Sequence, residues 1–253
     1  LQLFQQAFNQ FAPQEPAWRR ADCRLVDPFR PQVNPDGAAT EHDVMKSRAA
    51  HLHAVRHMFE SLDVFVFTLG LTEAWRSTSD GAVFPVAPGV VAGSFDGHKH
   101  EFVNFDVDAA RADLTSFVVA LRGVNPRSRI LITVSPVPLI ATYGSNHVLT
   151  ATTYSKAVLR VAAESVCQQH DNMDYFPSYE IITAHANRYF ESDLRNVSEA
   201  GVAHVMRMFF KHYTQQDQAE TAAIAEPGAL SFEERKSLVS IVCDEEAIEK
   251  SVI

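Results

Sequence analysis

The sequence predicts an α/β domain built on a parallel β-sheet. Residues 63–70 and 129–135 are continuously apolar rather than alternating, which is the pattern of strands covered by helices on both faces. Amphipathic helical patterns separate these two strands along the chain. This alternation indicates a doubly wound sheet, in which ligands bind at the carboxyl ends of the strands.

The helices are predicted from apolar residues spaced three and four apart. Residues 1–11 form such a stripe, and Thr40 is expected to cap a second helix that ends near residue 62. Later helices are predicted over residues 109–121, 154–167 and 198–212, and a short third strand over residues 173–176. The last helix is expected to bury a stripe made of Val202, Val205, Met206 and Phe209.

Two long segments, residues 13–40 and 78–108, are rich in turn-forming residues and are predicted to be irregular. Loops of this length inside a domain are often functional. Residues 214–253 are polar and then charged. We therefore predict a domain of residues 1–213 followed by a tail, with one short helix at about residues 231–241.

The composition disfavours several classes of function. A net charge of -9 and a pI near 5.6 would repel a phosphate backbone, so no nucleic-acid partner is expected. The apolar run at residues 64–71 is far shorter than the roughly 20 residues that span a bilayer, so no membrane partner is expected. Cys23, Cys167 and Cys243 lack paired spacing and predict reduced thiols in a cytoplasmic protein.

The histidines give little indication of a metal site. His53 and His57 share a helix face, but no carboxylate completes a HExxH-like frame, so neither a metal nor another cofactor is expected. A solvated helix face explains the same pair. His147 and His185 each follow a predicted strand and remain as candidates for a general base.

The loops after the two apolar strands hold the residues best placed for chemistry. After the first strand, the Gly70 amide and the Thr72 hydroxyl are candidate donors to an oxyanion, with Glu73 beside them in the pocket. The alternative is a glycine that ends the strand and a threonine that caps the next element. After the second strand, residues 136–138 (Pro-Val-Pro) either line a pocket or form a stiff connector. Ser135 lacks the frame of a nucleophile elbow.

Several strings in the chain recur together in one known family. They are Gln2-Leu3-Phe4, Asp27-Pro28-Phe29-Arg30-Pro31, residues 67–75, residues 133–139, Tyr154-Ser155-Lys156 with Leu159-Arg160, and residues 175–180. In this order and density they resemble the GSCFA family over about residues 1–212. The resemblance implies a three-layer α/β/α, flavodoxin-like sheet related to SGNH hydrolases, with acyl-ester chemistry.

The resemblance also implies a serine nucleophile near the amino terminus of the full domain. The Gly-Ser-Cys-Phe-Ala string that would supply it is not in the sequence. The sequence starts at Leu1 without an initiator Met or a signal segment, so we expect that string upstream and an N-terminally truncated domain here. The chain alone is then expected to be inactive.

The remaining catalytic groups match the family's pattern only in part. Where an Asp-x-x-His would fall, the chain has Asp193 followed three residues later by Asn196, which cannot act as a base. Gly70 and Thr72 match a Gly-x-Asn oxyanion element with threonine replacing asparagine. Asp193 is left to orient a histidine from elsewhere, for which His147 is our first choice.

The leading prediction is therefore an SGNH-like esterase or acyltransferase that acts on a small-molecule or carbohydrate ester, such as an O-acylated carbohydrate. The alternative is a carbohydrate- or acyl-binding module that kept the fold and lost the base, as Asn196 suggests. A third possibility is a scaffold whose residues after Thr214 bind a partner. The oligomeric state is not predicted.

Overall fold

The structure is a computed structural model that describes residues 1–214. The predicted helix at residues 231–241 and Cys243 lie outside the described residues. The helices in that part of the chain are α1 Gln2–Ala7, α2 Glu41–Ser61, α3 Val107–Val124, α4 Val148–Cys167, α5 Ser178–Thr183, α6 Ala186–Tyr189 and α7 Glu199–Tyr213. The strands are β1 Trp18–Arg19, β2 Leu25–Val26, β3 Val64–Leu69, β4 Glu73–Ser77, β5 Val83–Phe84, β6 His100–Asn104, β7 Arg129–Val134 and β8 Met173–Tyr175.

The parallel sheet has the strand order β3-β7-β8. β3 and β7 pair in parallel from Val64 opposite Arg129 to Leu69 opposite Val134. β8 pairs in parallel with the other side of β7. An α/β domain with a parallel sheet, as predicted, is confirmed for the described residues.

The other strands are antiparallel, which the sequence did not predict. β4 lies between β5 and β6, and β1 pairs with β2. Residues 78–108, predicted to be irregular, therefore contain β5 and β6. These strands are short and lie between Gly- and Pro-rich turns, so neither shows a run long enough to display a period of two.

The N-cap predicted at Thr40 is confirmed for α2, whereas α1 and α4 end or begin at residues that differ from the prediction. The Thr40 hydroxyl accepts from the Asp43 amide at 3.2 Å, and the Asp43 carboxylate accepts from the Thr40 amide at 3.2 Å. α1 ends at Ala7, earlier than predicted, because Asn9 adopts a left-handed conformation with φ 57°. α4 begins before its predicted start at residue 154, with His147 as its N-cap.

Helices cover both faces of the parallel sheet. On one face, α1 to α4 pack against Ile130 and Ile132 of β7 and bury Phe4, Phe59, Phe117, Leu121, Ala163 and Val166. On the opposite face, α5 buries Ile182, and its Ser178 hydroxyl donates to the Val134 carbonyl at 3.1 Å.

A buried ion pair anchors residues 13–40, the segment predicted to be irregular, to α2. Arg48 of α2 donates to the Asp27 carboxylate at 2.7 Å, and both side chains are buried. Arg30 donates to the other Asp27 oxygen at 3.1 Å. Arg48 also donates to the carbonyls of Glu15 and Pro16, so one guanidinium joins α2 to two parts of the segment.

The prediction that β3 is buried on both faces is wrong. β3 is an edge strand, and Val64, Val66 and Phe67 are 54%, 52% and 46% exposed. β7, which is equally apolar, is buried from Ile130 to Val134 because it has a strand on each side. The predicted core stripe of α7 is also partly open, with Val202 and Met206 exposed.

Candidate functional site

The loops that follow β3 and β7 meet at the carboxyl edge of the parallel sheet. The Ser135 amide donates to the Leu69 carbonyl at 2.8 Å, which continues the ladder one residue past β7. The Glu73 carboxylate accepts from the Thr142 hydroxyl at 2.5 Å and from the Tyr143 amide at 3.2 Å. Glu73, predicted to line a pocket, therefore joins the two loops.

The backbone of Gly70 is held in place by a buried lysine of α4. The Lys156 ammonium donates to the Gly70 carbonyl at 2.9 Å, and only 2% of Lys156 is exposed. Gly70 itself does not have a positive φ, and an added Cβ would meet open space. The backbone therefore does not require a glycine at this position.

Two consecutive amides at this point remain available as donors. The carbonyl and amide of a trans peptide point in opposite directions, so the bond from Lys156 to the Gly70 carbonyl directs the Leu71 amide away from α4. Within residues 1–214, neither the Gly70 nor the Leu71 amide donates to a protein acceptor. Gly70 is exposed and Leu71 is half-buried.

The amide, hydroxyl and carbonyl of Thr72 are all hydrogen-bonded within the domain. Its amide donates to the buried Ser155 hydroxyl oxygen at 2.8 Å, its hydroxyl donates to the Asn104 Oδ1 at 2.6 Å, and its carbonyl accepts from the Phe105 amide at 2.9 Å. The hydroxyl proton predicted for an oxyanion thus has an acceptor within the domain. The oxyanion role of Thr72 remains a prediction, while Leu71, which the sequence analysis did not select, offers a free amide beside it.

Asp193 and Asn196 lie in one exposed loop and bind each other. The Asp193 carboxylate accepts from the amides of Arg195 and Asn196 at 2.9 Å each, and from the Asn196 side chain at 2.5 Å. The amides of Arg195 and Asn196 lower the pKa of Asp193, because they stabilise its ionised form. All of these bonds are local, so none of them connects Asp193 to a histidine.

His147 is an exposed N-cap residue. Its Nδ1 accepts from the Leu149 amide at 3.3 Å, which satisfies one of the unpaired donors at the start of α4. Its role as a base remains a prediction. In the described part of the chain, no serine hydroxyl is hydrogen-bonded to a histidine ring.

His53 and His57 lie on the exposed face of α2. Among the described residues, no three His, Cys, Asp or Glu side chains are grouped so that they could hold a metal ion. Of the two cysteines in this part of the chain, Cys23 is exposed and Cys167 is half-buried. Burial raises the pKa of the Cys167 thiol to about 11.

Ser155 and Lys156 hold the loop that follows β3. Both belong to a string quoted in the sequence analysis, which assigned them no role. Ser155 and Lys156 fall on the face of α4 that also buries Ala151, Leu159 and Ala162. A hydroxyl and an ammonium on an apolar stripe must find partners inside the protein. Polar and charged residues on an otherwise apolar helix face were therefore the sequence signal that could have identified Ser155 and Lys156.

The fold and this edge define an α/β domain with a candidate site at the carboxyl ends of parallel strands. A family model described as the GSCFA family matches residues 1–209, and the chain belongs to that family. A comparison with curated proteins found no match. Over residues 1–214, no helix combines the length and apolar character needed to cross a bilayer.

Proposed function

We propose that this domain belongs to an SGNH-like esterase or acyltransferase, with a three-layer, flavodoxin-like sheet and a cytoplasmic location. The Gly-Ser-Cys-Phe-Ala string that the resemblance links to the serine nucleophile does not occur in the sequence. The observation that carries the proposal is the pair of unpaired amides at Gly70 and Leu71, at the carboxyl end of a parallel strand. The substrate class is an ester, such as an O-acylated carbohydrate.

The reaction follows the ordinary course of acyl transfer. The serine oxygen attacks the ester carbonyl as a base takes its proton, and the carbonyl oxygen becomes an oxyanion. An unpaired amide at the end of β3 donates to this oxyanion, and the tetrahedral intermediate collapses as the protonated base returns the proton to the leaving alcohol. Water or an acceptor hydroxyl then takes the acyl group from the serine by the same steps.

Preorganisation is the contribution of the buried groups behind the loop. Lys156 fixes the Gly70 carbonyl and Ser155 fixes the Thr72 amide, so the peptide units before and after Leu71 are both held. Donors that are fixed before the reaction need no reorganisation when charge develops, which is the main source of oxyanion stabilisation. His147 is retained as the proposed base and Asp193 as its orienting carboxylate.

The test compares ester hydrolysis by the chain of residues 1–253 with hydrolysis by the polypeptide extended upstream, using p-nitrophenyl acetate. We expect turnover only in the extended protein. Gly70→Pro in that protein removes one donor that makes no ladder bond and should lower kcat by about 10²–10³-fold. Gly70→Ala keeps the amide, fits the open space and serves as the matched control. Background rates in both unmodified polypeptides would refute the proposal.

A binding module is the second candidate, and the Asp193–Asn196 contact favours it. The asparagine occupies the position of the expected base and satisfies the carboxylate that would orient a histidine. A rise in Tm of the extended protein with an acylated sugar, without any turnover, would support binding alone.

A further inference from the structure

A cavity distinct from the Gly70 loop lies between α1, α2 and the segment around residues 27–30. It has a volume of about 340 Å³, and residues 83–85 also contribute to its wall. Residues 70–72 do not line it. The wall combines polar groups with aromatic and aliphatic side chains, among them Gln6, Asp27, Phe29, Arg30, His51 and Leu52.

The side chain of Gln6 lines this cavity without a hydrogen-bond partner. Only 5% of Gln6 is exposed, and within residues 1–214 its side-chain amide neither donates to nor accepts from a protein group. One turn earlier on α1, the Gln2 side-chain amide is satisfied in both directions by the backbone of Val83, at 2.9 and 2.7 Å. Buried polar side chains nearly always have a partner, because leaving one without costs free energy. The Gln6 amide is therefore a donor and an acceptor available to a molecule in the cavity.

The charged groups of the cavity wall carry a net positive charge. Arg30 and Arg48 share the single carboxylate of Asp27. The donors of Arg48 are taken by Asp27 and by two backbone carbonyls. Arg30 uses only its Nε and Nη2 atoms, and its Nη1 has no protein acceptor in the described part of the chain. Two cations against one anion leave one positive charge for a ligand.

His51 adds a further polar group to the same wall. Burial, and after it the nearby Arg30, lowers the pKa of His51, so its ring is neutral at pH 7. A neutral imidazole supplies one donor and one acceptor and leaves the net charge of the wall unchanged. The cavity therefore matches a singly charged anion better than a doubly charged one.

The remainder of the wall is apolar. Phe29 and Phe84 stack with ring centroids 5.5 Å apart, and Leu52 and Pro85 lie beside them in the wall. A cavity of about 150 Å³ is enough to bind benzene, so this one has room for a ring-sized apolar body and a charged group. The chemistry of the wall thus selects an amphiphilic molecule.

We propose that this cavity binds a small monocarboxylate with an apolar body of about the size of a benzene ring. The carboxylate pairs with Nη1 of Arg30 and accepts a hydrogen bond from the Gln6 amide. The apolar body packs against Phe29, Phe84 and Leu52. This site goes beyond the proposed function, because it requires no ester chemistry and uses none of residues 70–72.

Titration of the chain of residues 1–253 with sodium benzoate at constant ionic strength, followed by amide NMR spectra, tests the site. Saturable shifts are expected at the side-chain amide of Gln6 and at the backbone amides of Arg30 and His51, with a Kd at or below about 1 mM. Benzamide has the same ring without the charge and should bind about 10-fold more weakly or worse, since hydrogen bonds to an ionised group are the stronger ones. Inorganic phosphate should also bind more weakly than benzoate, because the wall is largely apolar.

Gln6→Leu separates a ligand-binding role from a structural one. The affinity for benzoate should fall by about 10-fold, while Tm should not fall, because no protein hydrogen bond is lost. Gln2→Leu on the same helix loses both bonds to Val83 and should lower Tm. Gln10→Leu, at an exposed position outside the cavity, is the matched control and should change neither the Kd nor Tm.

Several results would overturn the inference. One is the absence of saturable shifts up to about 20 mM benzoate, far above the expected Kd. Equal affinity for benzamide would show a cavity that selects only apolar bodies, and equal affinity for phosphate would show an unselective anion site. A loss of Tm in Gln6→Leu as large as that in Gln2→Leu would give Gln6 a structural role instead. None of these measurements depends on ester hydrolysis, so the proposed function stands or falls separately.

Discussion

The Lys156 ammonium lies 2.9 Å from the Gly70 carbonyl oxygen, and the lysine is almost completely buried at the end of β3. Burying an ammonium group costs desolvation free energy. We therefore infer that Lys156 is retained because it positions the loop. Lys156→Met should change the free energy of unfolding by less than about 2 kcal/mol, because a buried charge is exchanged for an apolar chain of similar length.

The same substitution should lower kcat for p-nitrophenyl acetate in the extended protein by about 10–100-fold with little change in KM, since donors aimed at the oxyanion are no longer fixed. Lys46→Met on the exposed face of α2 is the control. A kcat equal to that of the control variant would remove Lys156 from the site.

Ser155 should contribute to stability because its hydroxyl oxygen accepts a hydrogen bond from the Thr72 amide. Ser155→Ala leaves that buried amide without its acceptor and should cost about 1–3 kcal/mol of unfolding free energy. Ser165→Ala, on the same helix, removes only a hydroxyl that donates to its own helix at Val161, and should cost less than about 0.5 kcal/mol. Urea unfolding of both variants measures the difference, and equal midpoints would contradict the assignment.

Thr72→Val separates an oxyanion role from a structural one. The hydroxyl already donates to Asn104, so we expect a loss of about 1 kcal/mol in stability and a change in kcat of less than about 5-fold in the extended protein. A fall of about 10²–10³-fold without further loss of stability would instead assign the hydroxyl to the oxyanion, as the sequence suggested.

The buried ion pair of Asp27 and Arg48 should dominate the stability of the N-terminal segment. Asp27→Asn leaves a buried guanidinium without its counter-ion and should cost about 3–5 kcal/mol. Glu60→Gln removes the partner of Arg56 in an exposed pair on the same helix and should cost less than about 1 kcal/mol. Chemical denaturation monitored by tryptophan fluorescence would report both, and similar midpoints would argue against this role.

Cys167 should be inert to thiol reagents at neutral pH. Its pKa is raised to about 11, mainly by burial and then by Glu164 and Asp174, so roughly 0.1% is thiolate at pH 8. Because the folded-state pKa lies above the usual value, the stabilising contribution of the neutral thiol is complete below about pH 9 and is lost as pH rises toward 11.

The measurement uses an Ellman's reagent time course on a Cys243→Ser variant, so that only the two cysteines of the described region respond. Cys23, which is exposed, should react at once and Cys167 only after unfolding or at high pH. Two equally fast thiols at pH 8 would contradict the burial.

Local sequence signals predicted much of the secondary structure. Thr40 predicted the start of α2, and the apolar run at residues 129–135 predicted β7, because caps and strand composition depend on neighbouring residues. The antiparallel strands β5 and β6 escaped prediction, since strands this short are stabilised by distant partners rather than by their own pattern.

Gly70 and Glu73, which the sequence analysis selected, lie at the carboxyl edge of the sheet, and their roles remain predictions. Which donors remain free there depended on long-range partners: Asn104 and Ser155 occupy Thr72, while Lys156 leaves the Leu71 amide available. Asp193 and Asn196 were selected through the resemblance to the GSCFA family, and the structure pairs them with each other.

The sequence by itself determined the helix caps, the apolar strands, the acidic charge and the resemblance to the GSCFA family, since each is written in residue order and type. Only the tertiary structure decided that β3 lies at an edge and β7 in the interior. The two strands are almost equally apolar, and burial is fixed by how many neighbours a strand pairs with, which is a property of distant parts of the chain.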